Sequence, residues 1–319
     1  MANKILGVQV QGTTIAEIQR RIQKAEDLGI QGVWMTAGGA SLDSMTCFAA
    51  SASSTSNLKM GTSIVPTYPR HPLVMAAQAQ VVAQLAPGRF RLGVGPSHRP
   101  TIEGMGINFR APLGHLREYI HILKDLLQEG SVDFNGKHYQ AHATIPGPLD
   151  IEVMGSALSK GSFELLGEIS DGAISWLCPA SYLRDVAIPA MEKTAKEAGR
   201  PTPPLIAHAA VCVHENPEEV RSGLREQFGH PRLPFYQNMM VASGYPEATS
   251  GEWSDSMADG IVISGDEEVV AQGIQELFSA GATEVLASPI IAGEDKMRSL
   301  DRTMKLLGQS AVALSLGRP

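Results

Sequence analysis

Eight short apolar runs, each followed by a stretch with helical spacing, constrain the fold of this chain more than any other feature. They lie near residues 5, 31, 60, 90, 149, 173, 205 and 284. Strand–helix–strand units make successive strands parallel. Eight of them predict a closed (β/α)8 TIM barrel in preference to an open doubly wound sheet with two edges. A chain of 319 residues fits one such barrel, so residues 1–319 read as a single domain, and no internal repeat is visible. Two segments depart from the alternation. Residues 132–139, with Asn135-Gly136 between extended segments, read as a hairpin inserted at about 131–148. Residues 229–260 follow strand seven and carry Pro231, Pro234 and Pro246 among aromatic residues; without periodicity they read as a lid or binding loop.

The stretch from Leu58 to Thr101 shows the repeating unit most fully. Its first strand, Met60 to Val65, stops at Pro66, which lacks an N–H and restricts the residue before it. Its second, Phe90 to Val94, runs into Gly95-Pro96-Ser97-His98. Elsewhere Thr14 and Glu17 form a capping-box pattern ahead of Ile15, Ile18, Ile22 and Ala25, and Gly29 supplies a left-handed helix end. Parallel strands deliver their C-terminal ends to one rim, where ligands bind in α/β folds. Four turns therefore converge: 36–39, 63–68, 95–101 and 155–162. In the last, Gly155-Ser-Ala-Leu-Ser-Lys-Gly-Ser162 precedes a helix at Phe163–Ile169 and has the character of an anion site, with free amides and Lys160 beside them. A plain capped helix start accounts for the same residues equally well.

Composition narrows the partners. A net charge of -7 argues against nucleic acid or an anionic membrane surface. No apolar run is long enough to span a bilayer and the start carries no signal-peptide pattern, so a cytoplasmic protein is expected. Cys47, Cys178 and Cys212 are far apart and read as reduced structural thiols. Walker, HExxH and GxSxG patterns are absent, and neither GVGPSH nor GSALSKG matches GxGxxG. The nine histidines are scattered. His138 and His142, four apart on a hairpin, do not share a face as ligands would, so no metal is expected.

Five segments together carry a resemblance: VPTYPRHP (65–72), GRFRLGVGPSH (88–98), LREYIHILKDLL (116–127), LLGEISDGAISW (165–176) and LPFYQNMM (233–240). They resemble the bacterial luciferase-like superfamily, and within it the oxidoreductases that use the deazaflavin coenzyme F420. The resemblance implies a (β/α)8 barrel with an insertion after strand seven, hydride exchange with a small organic substrate, and commonly a homodimer. It implies a non-proline cis peptide at Ser63-Ile64, next to Val65, backing the deazaflavin ring. Ser97 and His98 match the turn beside the ring and tail, and Gly155, Ala157, Leu158, Ser159, Lys160 and Gly161 match the turn holding the phosphate-bearing tail. Thr36 and Ala37 stand where several relatives have an Asp-His pair, and Ser159-Lys160 where they often have Gly-Pro. His98 becomes the candidate proton donor or acceptor, an imidazole near neutrality on the rim, or else a neutral hydrogen-bonding group. Trp176, Phe235, Tyr236 and Met239 are candidates for a substrate wall, although packing explains them as well. An FMN-dependent monooxygenase and a non-catalytic carrier of F420 or flavin are the alternatives.

Overall fold

The computed structural model describes residues 4–317. Eight parallel strands form the barrel: β1 (Ile5–Gln9), β2 (Gly32–Met35), β3 (Lys59–Thr62), β4 (Phe90–Gly95), β5 (Glu152–Ser156), β6 (Ala173–Ile174), β7 (Leu205–Val213) and β8 (Glu284–Pro289). Each pairs with the next, and β8 pairs with β1, so the ring closes. These are the eight strands legible in the sequence.

Local chemistry sets most helix ends. The helix Ile15–Asp27 starts at Thr14, whose hydroxyl accepts from the Glu17 amide, while the Glu17 carboxylate reaches back to the Thr13 amide at 2.9 Å. It buries Ile18, Ile22 and Ala25, and Gly29 follows at φ +79, the left-handed region that glycine enters at no steric cost. Pro217–Phe228 is capped by Asn216.

Several elements differ from the sequence expectation. Strand five begins at Glu152, not Leu149, because the Leu149 amide is taken by the Leu127 carbonyl at 2.7 Å. The ladder of β6 stops at Ile174, and Leu177 at φ +49 carries the chain off the regular path. The short helix Arg99–Glu103 occupies the expected polar loop after His98. The closing helix runs Lys296–Ser315. Most differently, segment 229–260 is largely helical. Pro234 stands at the first position of Pro234–Ala242, where its missing N–H costs nothing. Ser254 caps Asp255–Ile261, and Val262–Gly265 then pairs with Ala210–Val213 of β7. Trp253 fastens the segment by donating its indole N–H to the Gly229 carbonyl at 2.7 Å. Ser131–Asn135 and Gln140–Thr144 form an antiparallel hairpin.

The barrel interior is layered. At the strand starts Arg91 and Glu284 make a buried bidentate pair, and Trp34 donates Nε1–H to Glu284 at 2.8 Å while lying under the guanidinium. The charges are thus paired and hydrogen-bonded, as burial demands. Above them Met154, Ile174, Ile206, Leu286 and Trp34 form an apolar plug with Ile64 against it. The next layer, at the strand ends, is polar. Among the described residues no helix is long and apolar enough to cross a membrane.

Candidate functional site

The polar layer begins at the end of β2. Thr36 donates its hydroxyl to the Ser63 carbonyl at 2.8 Å, and the Ala37 amide donates to the Ile64 carbonyl at 3.1 Å. The Ser63-Ile64 bond between those carbonyls is cis. Thr36 and Ala37 therefore act on the backbone beside them and hold the neighbouring turn. Val65 is buried and pairs with Val94, rejoining the sheet.

A chain of hydrogen bonds continues from Thr36 around the barrel. Gln9 donates its amide to the Thr36 hydroxyl at 3.0 Å, and its carbonyl accepts from Ser288. The Ser288 hydroxyl also lies 2.7 Å from His208 Nε2. His208 is completely enclosed, and burial pushes its imidazole down to about 3, so it is neutral. Trp176 sits edge-on to His208 at 4.2 Å between ring centroids and against Phe228 at 5.0 Å. Ends of β7, β8, β1, β2 and β3 are thus linked by uncharged groups.

On the opposite arc, β4 ends in Ser97 at φ +61, a left-handed conformation unusual for a side chain with a Cβ and found at functional sites. His98 follows. Its ring packs on Phe235 at 5.6 Å and 25°, and its Nε2 lies 3.4 Å from the Tyr236 hydroxyl. Burial lowers the His98 pKa below the ordinary histidine range, and Nδ1 is buried without a partner. The structure therefore brings His98, Phe235 and Tyr236 together, joining the β4 turn to the insertion. Trp176 lies across β6, and Met239 is 2% exposed, packed in the core.

After β5 the residues divide by role. A Cβ on Gly155 would meet Leu166 and Ile120, so this position faces the helix layer. Ala157 is buried, and the Leu158 carbonyl accepts from Tyr182 at 3.0 Å. The Ser159 hydroxyl caps Lys160–Ile169 by accepting from the Ser162 amide. The Lys160 side chain is 68% exposed, with Glu164 at 3.9 Å. Among the described residues the Lys160 and Gly161 amides have no acceptor, as expected for a first helical turn. His138 and His142 are separated: His138 lies near the His115 ring, and His142 meets Asp133 at 2.6 Å. Burial pushes the Cys178 and Cys212 thiols up to about 12. A further groove, about 390 Å³, lies on the outer helices by Leu28, Gly308 and Val312.

The sequence pattern of the family described as luciferase-like monooxygenase matches residues 3–284. This chain belongs to that family. The luciferase-like chain is 26% identical to 5,10-methylenetetrahydromethanopterin reductase from Methanopyrus kandleri, covering 93% of this chain and 94% of the relative. In fold it is similar to an F420-dependent secondary alcohol dehydrogenase in complex with an F420-acetone adduct, with TM-score 0.78, 16% identity and coverage of 95% and 98% of the two chains. It is also similar to the oxygenating constituent of 3,6-diketocamphane monooxygenase from Pseudomonas putida in complex with FMN, with TM-score 0.72, 17% identity and coverage of 98% of each chain.

Sequence reasoning missed Gln9, His208 and Ser288 in this luciferase-like site. A signal existed for two of them. Gln9 ends an otherwise apolar strand, and His208 is the one polar side chain within LIAHAAVCV. Strand alternation aims both into the barrel.

Proposed function

We propose that this protein is a coenzyme F420-dependent oxidoreductase that transfers a hydride between the deazaflavin and a small organic substrate, reduction of the substrate being its working direction. The observation that carries this reading is similarity along most of the chain to a relative named as F420-dependent, a glucose-6-phosphate dehydrogenase from Kineococcus radiotolerans that is 25% identical over 87% of this chain, beside the 26% identity to the reductase over 93%. The site suits such a coenzyme. Two sets of unsatisfied polar groups share the rim: the buried His98 Nδ1, and the open amides at the start of the Lys160 helix. The first suits a polar edge of a ring, and the second a phosphate.

When bound, the deazaflavin supplies the carbon that gives or accepts the hydride. The protein supplies place and polarity. The Lys160 and Gly161 amides hold the phosphate end, with Ser159 occupied as the cap. Thr36 and Ala37 fix the carbonyls of Ser63 and Ile64, which together with Ser97 frame the ring. Trp176, Phe235 and Tyr236 exclude water from the reacting face and align the substrate, the largest service a protein offers to cofactor chemistry of this kind. His98 exchanges a proton or hydrogen bond with the substrate through its imidazole. Incubation with reduced F420 and a panel of ketones, enones and imines, followed at the coenzyme absorbance, tests the reading. Consumption of the coenzyme with formation of reduced product supports it. Oxygenated product from FMN and O2, with none from F420, sinks it.

The functional unit is a homodimer. From Ser44 to Leu58 and from His71 to Gly88 there is no Asp, Glu, Lys or Arg. The helix Pro72–Leu85 exposes Val74, Val81 and Leu85 at 53%, 52% and 47%. With Gln78 they follow a 4-3-4 spacing, the stripe of a helix seam. Gln78 Oε1 is buried without a partner. An apolar, uncharged stripe complements itself across a two-fold axis, and a second copy of this chain is the occupant it fits.

A further inference from the structure

Two histidines in this chain begin helices, and they use their rings differently. His71 caps Pro72–Leu85, its Nδ1 accepting from the Leu73 amide at 3.2 Å. His98 precedes Arg99–Glu103 and makes no side-chain cap bond. The order of residues explains the contrast. In His71-Pro72-Leu73 the proline is at the first helical position and the second keeps its N–H. In His98-Arg99-Pro100 the proline stands second, where a capping side chain finds its donor. Pro100 thus removes one of the two amides that a capping side chain can use, and the His98 ring makes no cap bond.

The His98 ring turns to the insertion helix. It packs on Phe235, and its Nε2 meets the Tyr236 hydroxyl at 3.4 Å, while Nδ1 stays buried and unpartnered. Burial holds His98 neutral and raises Tyr236 well above the ordinary tyrosine range, so the phenol keeps its proton. A neutral imidazole has one N–H and one lone pair. The Tyr236 O–H needs an acceptor when it is this enclosed, and among the described residues His98 Nε2 is the one within hydrogen-bond distance. Nearby Cys178 directs its own S–H to the Trp176 carbonyl. A lone pair at Nε2 gives that hydroxyl its acceptor.

We propose that Tyr236 is a positioning residue that acts through His98: by donating to Nε2 it places the imidazole proton on Nδ1, where it serves a neutral oxygen acceptor of carbonyl type on a small molecule bound at the rim. The identity of that molecule rests on the oxidoreductase reading above; the tautomer does not. An N–H buried without an acceptor is rare in folded proteins, and a carbonyl oxygen of substrate or coenzyme satisfies it. The insertion also gains a role, since the residue that sets the proton of the rim histidine is carried on it.

Long-range ¹H–¹⁵N correlation spectra of the ¹⁵N-labelled full chain without added coenzyme test this directly. The His98 signals are identified by their loss in His98→Gln. The expected result is a protonated-type shift at Nδ1 and a lone-pair-type shift at Nε2, with Tyr236→Phe moving the population toward the opposite tautomer while far-UV circular dichroism stays unchanged. A proton found on Nε2 in the parent chain overturns the proposal, whether or not Tyr236→Phe folds. So does a Tyr236→Phe spectrum with the His98 tautomer unaltered. Failure of the chain to bind F420 in a separate titration sinks the oxidoreductase reading and leaves this result standing.

Discussion

Glu284 holds two groups together at the base of the barrel, accepting from Arg91 twice and from Trp34 once. Glu284→Ala leaves a guanidinium buried without its partner, a change that costs about 3–5 kcal/mol. Urea unfolding should show a loss of that size, and replacing both members by methionine should recover most of it. A second residue-scale expectation concerns acid. His208 and His115 are both buried, and both are held below the ordinary value of 6.5, His208 to about 3 by burial and His115 to about 4 by burial and then by His138. Folded-state values below the unfolded one mean that the unfolded chain binds more protons as pH falls beneath 6.5. Stability is therefore full above that pH and declines toward pH 4, by up to about 1.4 kcal/mol per pH unit for each histidine. Denaturant titrations from pH 7 to pH 4 should show the decline, and His208→Gln should make it shallower. A slope unchanged by that substitution contradicts the assignment.

At the scale of elements, the start of the helix Lys160–Ile169 separates two contributions that the sequence could not. Ser159→Ala removes a cap and should cost about 1 kcal/mol, read as a lower thermal midpoint. Lys160→Ala should leave that midpoint unmoved, because its side chain is 68% exposed, and should weaken F420 binding far less than a lost amide contact would. The elements were legible where periodicity and punctuation agreed. Thr14, Gly29, Asn216 and the nine-residue run of β7 each carry a local signal strong enough to stand without tertiary help. The insertion was legible in place but its helices were not, because Pro234 reads as a breaker in sequence and works as a helix starter in the fold. Strand five was displaced by a tertiary hydrogen bond to Leu127 that no local pattern announces. In the candidate site, the four converging turns followed from topology, while the hydrogen-bond chain through Gln9, Ser288 and His208 depends on barrel closure, which brings β7, β8 and β1 together only in the folded molecule.

For the whole molecule, charge is distributed unevenly. A chain of net charge -7 keeps the helices Ser44–Ser51 and Pro72–Leu85 free of Asp, Glu, Lys and Arg, which suits pairing of two copies without like-charge repulsion. Sedimentation velocity should give twice the 34.0 kDa mass of the chain, and Val81→Glu, at a position 52% exposed in the single chain, should return it to monomer with its circular dichroism retained. A parent chain that sediments as a monomer contradicts the pairing. Separate fluorescence titrations of the same protein with F420 and with FMN decide the identity of the coenzyme. Saturable binding of F420 at a lower concentration than FMN is the predicted result; preference for FMN, or no binding of F420, contradicts the account.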